Sequence, residues 1–260
     1  MNTLTVVTIC FNNLPDVQRS CASVDAQTVQ PLEHWIINGS TRPEIAQWLE
    51  STAQPAYRKW LNERDKGISD AFNKGIERAN GTIIHLLNAG DVYAADDVLE
   101  TVINTFEQQP SIQWVSGKIR LKRAGHWIEI GKSFDAKQLY KGMRSVSHPT
   151  WFLKKEVYNR CGLFKSEYKI AMDYDLMCRI YKEPYSFIDK TLASFDDTGV
   201  SSTQYLASLK ENIKVYESYF GFSLLCRLWQ LRLKLLYLLL QTSLGKWLFR
   251  VKKQMKMENV

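Results

Sequence analysis

The sequence predicts an α/β fold in which a mostly parallel sheet is flanked by helices and followed by a C-terminal amphipathic helical extension. Three observations predict it. Short apolar, β-branched runs alternate with segments of helical periodicity through about residue 117. Polar turn clusters follow several of those runs, and a leucine-rich basic segment lies near the end of the chain. We therefore divide the chain into a domain of residues 1–204 and a tail of residues 205–260.

The first half of the chain carries the clearest pattern. Residues 3–11 are apolar and β-branched, which predicts a strand buried on both faces. Further strands are predicted at 34–37, 56–62, 82–87 and 112–115, with a helix in each of the gaps between them. Because the connections are short, we expect these strands to run parallel. Residues 118–152 predict shorter, less regular strands; 154–161 and 172–182 predict helices, and 185–195 an extended segment.

The net charge of +7 is confined to the tail. Residues 205–260 hold ten Lys and Arg against three Glu, so residues 1–204 carry equal numbers of basic and acidic side chains. This distribution disfavours a uniformly basic body that binds nucleic acid, and we expect no nucleic-acid partner.

The cysteines and the spacing of the charged residues indicate in which cellular compartment the protein lies. The five cysteines lie far apart and form no CxxC, which argues against a disulfide framework or structural zinc and suits a reducing cytosol. The chain enters its first strand without a basic leader, which predicts no signal peptide. No stretch of 18 or more residues lacks a charge, so no clear transmembrane helix is predicted.

Polar residues follow three of the predicted strands, at 11–12, 38–41 and 88–91. In open parallel sheets, ligands bind beyond the carboxyl ends of the strands, so these clusters together favour a polar ligand at one edge. No GxGxxG follows the first strand, which disfavours a dinucleotide dehydrogenase. No GxxxxGK[ST] occurs, which excludes a P-loop.

Ordered motifs now identify a family resemblance. They are TVVTICFN (5–12), WIINGST (35–41), DKGISDAFNKG (65–75) and LLNAGD (86–91), continued at 147–150, 161–164, 171–179 and 199–202. In this order they resemble family 2 glycosyltransferases of the GT-A fold, most closely those of bacterial exopolysaccharide synthesis such as the colanic acid type. The resemblance covers roughly residues 3–203. It implies a GT-A fold and transfer of a sugar from a nucleotide-diphosphate donor.

The resemblance also implies which residues bind the donor. They are Thr8, Phe11, Asn12, Asn38, Asp65, Gly67, Asp70, Asn73 and Asn88. The family usually has an acid at position 38 that contacts the nucleobase. An amide both donates and accepts hydrogen bonds, so uracil, guanine and thymine stay open. Asp70 and Asn73 share one helical face; the alternative is that they form a solvated face with intrahelical hydrogen bonds.

A divalent cation is expected at Asp91, where the family's acidic motif ends. Asn88 and Gly90 stand where that motif often has acids, so one carboxylate remains in it. Hard cations such as Mg²⁺ or Mn²⁺ are held by one or two carboxylates together with phosphate oxygens, and they stabilise the charge of the leaving diphosphate. We therefore expect the donor phosphates to complete this site.

The acceptor hydroxyl needs a general base, and Asp173 matches the aspartate of the family's acidic pair. In-line attack assisted by Asp173 would invert the anomeric configuration. Asp175 is the rival base, although a helix would turn its side chain elsewhere. His148 is expected to bind the metal or the acceptor; the alternative is a structural histidine that anchors the strand before Trp151.

The tail predicts an amphipathic helix. Its polar stripe is Ser223, Arg227, Gln230, Lys234 and Gln241, and leucines fill most of the remaining circumference. A basic cluster follows, from Lys246 to Lys256. Such a segment binds anionic membranes, so residues 222–256 predict a peripheral protein at the cytoplasmic face of the cell membrane. The alternative is packing on the catalytic domain or on a second subunit.

The tail and the family together predict a growing glycan linked to a polyprenyl diphosphate as the acceptor. Two alternative functions remain. A sugar nucleotidyltransferase can share this architecture, but it normally carries a Gly-rich, basic loop after the first strand, which residues 11–15 lack. A nucleotide-sugar-binding subunit that has lost catalysis is the other, because the acidic motif is thinned.

Overall fold

Four parallel strands form the first half of a nine-stranded sheet. The computed structural model describes residues 2–123, 126–144, 146–196, 204–243 and 245. The four strands are β1 (Leu4–Cys10), β2 (Glu33–Asn38), β3 (Arg58–Asn62) and β4 (Ile83–Asn88), in the order β3-β2-β1-β4. β1 is buried along its whole length, and its alternate residues point into separate apolar clusters on the two faces. The strands predicted for this half are confirmed.

Helices cover both faces of these strands. They are α1 (Leu14–Asp25), α2 (Glu44–Ser51), α3 (Ile68–Arg78) and α4 (Val98–Gln108). α3 packs on one face and the other three pack on the opposite face. Gly75 allows α3 to approach β1 closely, because a Cβ at this position would lie 2.2 Å from Cγ1 of Val7.

The second half of the sheet is mixed. β8 (Phe152–Lys154) lies antiparallel between β4 and β6 (Trp114–Arg123) and so joins the two halves. β6 also pairs in parallel with β9 (Tyr185–Asp196) and antiparallel with β7 (His126–Ile130), while β5 (Val92–Tyr93) lies beside β9. β6 and β7 therefore form one long hairpin where the sequence predicted short irregular strands. Two short 3₁₀ helices, Ala136–Lys141 and His148–Thr150, follow that hairpin.

Four more helices lie in the described part of the second half of the chain. They are α5 (Lys155–Cys161), α6 (Met172–Ile180), α7 (Tyr205–Phe220) and α8 (Leu224–Gln241). α7 packs across α6: Val215 is buried in the same cluster as residues of α6, and the Tyr219 hydroxyl donates to Asp175 at 2.6 Å. The GVSS motif at 199–202 and the basic cluster of Lys246 to Lys256 lie outside the described residues.

α8 turns a mixed side towards the protein. Cys226 and Gln230 are buried there, and Ser223, Trp229, Leu233 and Tyr237 are partly buried beside them. The rest of the predicted polar stripe (Arg227, Lys234 and Gln241) is exposed, as are most of the large apolar side chains of the helix. The exposed set, here called the leucine face, is Phe222, Leu224, Leu225, Leu228, Leu231, Leu235, Leu236, Leu238, Leu239 and Leu240. The amphipathic helix predicted from the sequence is confirmed. In the described part of the chain, no helix has the length and apolarity needed to cross a membrane.

Candidate active site

One open pocket of about 750 Å³ lies beyond the carboxyl end of β4. Its wall combines the loop after β4, the 3₁₀ helix at His148–Thr150, the start of α6, and side chains of α7 and α8. Four of the residues predicted from the sequence line it. These are Asn88, Asp91, His148 and Asp173. The fold thus brings the expected metal ligand and the expected general base to one cavity.

His148 and Asp173 form a pair within this pocket. Nδ1 of His148 lies 3.0 Å from a carboxylate oxygen of Asp173. The imidazole also stacks on Phe72 of α3, with ring centroids 5.0 Å apart. Burial lowers the pKa of His148, but the Asp173 carboxylate, with smaller contributions from Asp91 and the Leu86 backbone, outweighs it, so the pKa is raised above its ordinary value. The pair is therefore an oriented hydrogen bond in which the histidine donates and the carboxylate accepts.

A second histidine, which the sequence analysis missed, positions this pair. Nε2 of His85 lies 3.0 Å from the Pro149 carbonyl, and its Nδ1 lies 2.8 Å from the Tyr93 hydroxyl. Burial lowers the pKa of His85 to about 3, so the ring is neutral. A carbonyl only accepts, so Nε2 carries the proton and Nδ1 accepts from Tyr93. The signal in the sequence was a histidine inside an otherwise apolar strand.

Asp173 is positioned from the C-terminal helices. The Glu211 carboxylate of α7 accepts from three successive backbone N–H groups that lead into α6, those of Lys169, Ile170 and Ala171, at 3.3, 2.9 and 2.8 Å. These charge-assisted hydrogen bonds fix the entry of α6, in which Asp173 is the second residue. Sequence reasoning missed Glu211 because its partners are about 40 residues away in the chain.

Asp175 differs from Asp173 in its partners. Its carboxylate is fully buried and lies 2.7 Å from Nη2 of Arg179, while the Tyr219 hydroxyl donates to it at 2.6 Å. Lys165 also approaches it, at 3.5 Å. A buried carboxylate with three such partners serves to join α6 to α7, and it does not line the pocket.

Asp91 is the buried carboxylate of the loop after β4. Ser20 of α1 holds this loop, since its hydroxyl donates to the Asp91 carbonyl and accepts from the Gly90 amide, each at 2.8 Å. Gly90 has a φ of 101°, which favours glycine. Burial raises the pKa of Asp91 to about 6. A cation beside this carboxylate would offset that burial and lower its pKa.

These residues fit a cation that is bound together with the phosphates of the substrate. Among the described residues, no three His, Cys, Asp or Glu side chains gather closely enough to hold a metal by themselves. Mg²⁺ is commonly bound through one or two carboxylates and substrate phosphates, with water completing its shell. Asp91 at the wall of an open pocket meets that requirement.

The predicted donor residues on β1 and β2 lie at neighbouring strand ends. Oδ1 of Asn12 accepts from the backbone of Thr41 and Arg42 at 3.0 and 3.1 Å, with a φ of 56° at Asn12. Asn38 is buried and donates to Asn62 at 2.9 Å. These amides hold the two loops together. Phe11 is exposed between them, whereas Thr8 is buried and bonded to His34.

Lys74 forms ion pairs with two of the predicted donor-binding residues near α3. Its Nζ lies 3.0 Å from Asp65 and 3.3 Å from Asp70. Burial raises the pKa of Asp65, with Lys74 opposing it, and a hydrogen bond from the Lys66 amide lowers that of Asp70. α3 begins after Gly67, whose φ is 128°. Asn73 exchanges two 2.9 Å hydrogen bonds with the Phe164 backbone. None of these side chains lines the pocket.

Comparison with known proteins identifies the family. The sequence model of glycosyl transferase family 2 matches residues 5–162. The chain belongs to glycosyltransferase family 2. A glycosyltransferase of Mycobacterium tuberculosis, itself uncharacterised, is 29% identical over 205 residues, which cover 77% of each chain. The PGL/p-HBAD biosynthesis glycosyltransferase of Mycobacterium bovis is 25% identical over 195 residues, which cover 72% of this chain and 74% of that one.

Solved structures confirm the GT-A fold of this glycosyltransferase. The mannosyltransferase PcManGT of Pyrobaculum calidifontis, in complex with GDP-Man and Mn²⁺, gives a TM-score of 0.63 at 15% identity and covers 85% of this chain and 65% of its own. S. aureus TarS 1–349 in complex with UDP-GlcNAc gives 0.63 at 15% identity, with 84% and 67% covered. The chain thus spans about two thirds of the solved chains it matches. At this identity the likeness shows the fold alone.

Proposed function

We propose that this glycosyltransferase inverts the anomeric centre as it transfers a sugar from a nucleotide-diphosphate donor to a lipid-linked growing polysaccharide, as exopolysaccharide transferases do. The observation that carries the proposal is the oriented His148–Asp173 pair in the pocket that also holds Asp91. Transfer from a diphosphate leaving group requires a general base for the acceptor and a carboxylate that can hold a cation at the phosphates. We assign these two roles to Asp173 and Asp91, which line one pocket.

In this mechanism Asp173 takes the proton of the acceptor hydroxyl. The acceptor oxygen then bonds to the anomeric carbon as the bond from that carbon to the donor phosphate breaks, with inversion. His148 donates to Asp173 and keeps one carboxylate oxygen occupied, which leaves the other for the acceptor. Asp91, with the donor phosphates, would hold Mg²⁺ or Mn²⁺. When bound, that cation supplies positive charge to the leaving diphosphate.

We assign the donor nucleotide to the end of β2, to the loop after β1, and to the segment that leads from β3 into the first turn of α3. These contain Phe11, Asn12, Asn38, Asp65, Gly67 and Asp70, and Asn88 lies between them and Asp91 in the chain. Support comes from the complexes of the two solved neighbours with GDP-Man and UDP-GlcNAc. Thr8 and Asn73 support this region from within, through His34 and Phe164.

The membrane side of the proposal rests on the leucine face. A contiguous apolar patch of this kind on a protein surface marks an interaction site. The tail also holds ten basic residues against three acidic ones, which suits an anionic surface. We assign residues 222–256 to the cytoplasmic face of the cell membrane, where a polyprenyl-diphosphate-linked acceptor would be met.

Sugar transfer by site variants tests the proposal. The full chain is assayed with UDP-, GDP- and TDP-sugars, with and without Mn²⁺, and turnover is compared with donor binding. We expect Asp173→Asn to lower turnover by about 10²- to 10⁴-fold while donor binding persists. Asp91→Ala should remove the response to Mn²⁺. Asp189→Asn is the matched control, because this exposed carboxylate on β9 pairs only with Lys118 among the described residues.

The outcomes separate the alternatives. Full turnover in both site variants would overturn the assignment of base and metal ligand. Donor binding without turnover in the wild type would identify a binding subunit. Release of inorganic pyrophosphate from a nucleoside triphosphate and a sugar phosphate would identify a nucleotidyltransferase.

A further inference from the structure

Three cations surround one aromatic ring beside the pocket. Nζ of Lys141 lies 4.8 Å from the centroid of the Trp229 ring, and the guanidinium carbons of Arg144 and Arg232 lie 5.6 and 4.9 Å from it. We call these four residues the Trp229 cation cluster. It joins the end of the first 3₁₀ helix and the turn that follows it to α8.

Local structure explains how two of these cations reach the same ring. The 3₁₀ helix of Ala136–Lys141 ends at Gly142, whose φ of 85° turns the chain immediately after Lys141. The Arg144 amide then donates to the Gly142 carbonyl at 2.9 Å, which closes a tight turn. Lys141 and Arg144 thereby face Trp229 from one turn of backbone.

These cations differ from Lys74, Arg179 and Arg227, each of which pairs with a carboxylate. Within the described ranges, Lys141, Arg144 and Arg232 make no ion pair with any carboxylate. An aromatic face orients a cation without neutralising it. The cluster therefore keeps its positive charge available to an anion from outside.

The position of the cluster indicates which kind of anion it would bind. Lys141 and Arg144 line the same pocket as Asp173, and so does Leu233 of α8. The leucine face occupies the outer side of α8. A molecule that extends from Asp173 towards that face therefore meets the proposed general base, then the cations Lys141 and Arg144, then an apolar surface.

From this order we propose that the Trp229 cation cluster is a subsite for the diphosphate of an amphiphilic acceptor, with Lys141 and Arg144 as its phosphate ligands. The proposal deepens the lipid-linked acceptor of the proposed function and rests on it. Arginine binds phosphate oxygens with paired N–H groups and lysine acts as a compact positive charge, so the two suit a diphosphate.

Vesicle binding by the full chain tests the subsite without donor or turnover. Two probes are compared at equal surface charge: phosphatidylcholine vesicles carrying a polyprenyl diphosphate, and phosphatidylcholine vesicles carrying phosphatidylglycerol. We expect the wild type to bind the diphosphate vesicles at least about tenfold more tightly. The double variant Lys141→Gln with Arg144→Gln should bring the two affinities within about twofold. Lys132→Gln with Lys137→Gln, two exposed lysines of the preceding segment, should keep the preference.

Two results would overturn the subsite. One is a wild type without preference for the diphosphate. The other is a double variant that weakens both affinities equally, which would assign the cations to membrane headgroups. Asp173→Asn should retain the preference, because it removes the base and leaves the cluster intact. A failure of the subsite is therefore distinct from a failure of the transfer assay.

Discussion

The helices α3 and α8 both carry a row of large apolar side chains, but only α3 buries that row in the core. α3 buries its apolar stripe, with Phe72 and Ile76 inside the core and Lys74 among carboxylates at the surface. α8 buries Cys226 and Gln230, has Trp229, Leu233 and Tyr237 partly buried, and leaves its other leucines exposed. The hydrophobic pattern locates the two sides of a helix, but it does not say which side the rest of the chain covers.

The difference has a physical cause in the partners that each helix meets. α3 lies against β1, whose Val7 and Ile9 belong to the same apolar cluster as Phe72 and Ile76. α8 meets the backbone of the first 3₁₀ helix and a carboxylate of α7: Gln230 donates to the Tyr140 carbonyl at 3.5 Å and Arg227 contacts Glu217 at 2.7 Å. The polar side chains Gln230 and Arg227 therefore have partners within the chain, whereas the leucine face stays exposed.

The largest expected effect contrasts two apolar side chains. Phe72→Ala in α3 should lower the free energy of unfolding by about 3–5 kcal/mol, because it empties a core position that is 1% exposed. Leu235→Ala in α8, at a position 57% exposed, should change it by less than about 0.5 kcal/mol. Urea unfolding of the two variants measures both. Similar losses would show that the leucine face is covered in the native protein.

The fold was predictable where the pattern is local. β1, β2 and β4 each contain a short run rich in large apolar residues, and the helices after them repeat at helical spacing. β5 has two residues and so carries no period. The antiparallel insertion of β8 depends on pairing with β4 and β6, which lie about 70 and 40 residues away in the chain, so its own sequence carries no sign of it.

An effect of intermediate size is expected for Glu211→Gln on α7. This variant tests whether Glu211 positions Asp173 through the backbone that leads into α6. An amide accepts less strongly than a carboxylate from the three N–H groups before α6, so we expect a loss of about 1–2 kcal/mol in the free energy of unfolding. Turnover should fall more than donor affinity, because Asp173 loses its support. Glu167→Gln is the control: this exposed carboxylate contacts Lys214 of the same helix at 3.4 Å. An equal fall in turnover in both variants would contradict the positioning role.

The site was predictable as a set of residues, though their contacts were not. His148 and Asp173 were both expected to act, but spacing along the chain does not show that they touch. That contact depends on His85 beneath the 3₁₀ helix and on Glu211 beside α6, and each of those holds backbone groups distant in sequence. Almost every residue has a backbone donor and acceptor, so a sequence motif does not show which of these groups a distant side chain will bind.

The smallest expected effect on stability comes from a double variant that changes only the leucine face. Leu235→Gln with Leu239→Gln keeps helix propensity, since leucine and glutamine rank together, and should change the free energy of unfolding by less than about 0.5 kcal/mol. Binding to phosphatidylglycerol vesicles should weaken at least about tenfold, because two leucines no longer enter the membrane interface. Leu206→Gln on α7 is an exposed leucine outside this face and should bind as the wild type does. Unchanged vesicle binding together with a dimer that dissociates in gel filtration would assign the leucine face to a second subunit. That outcome would keep the contrast with α3 and change only what covers α8.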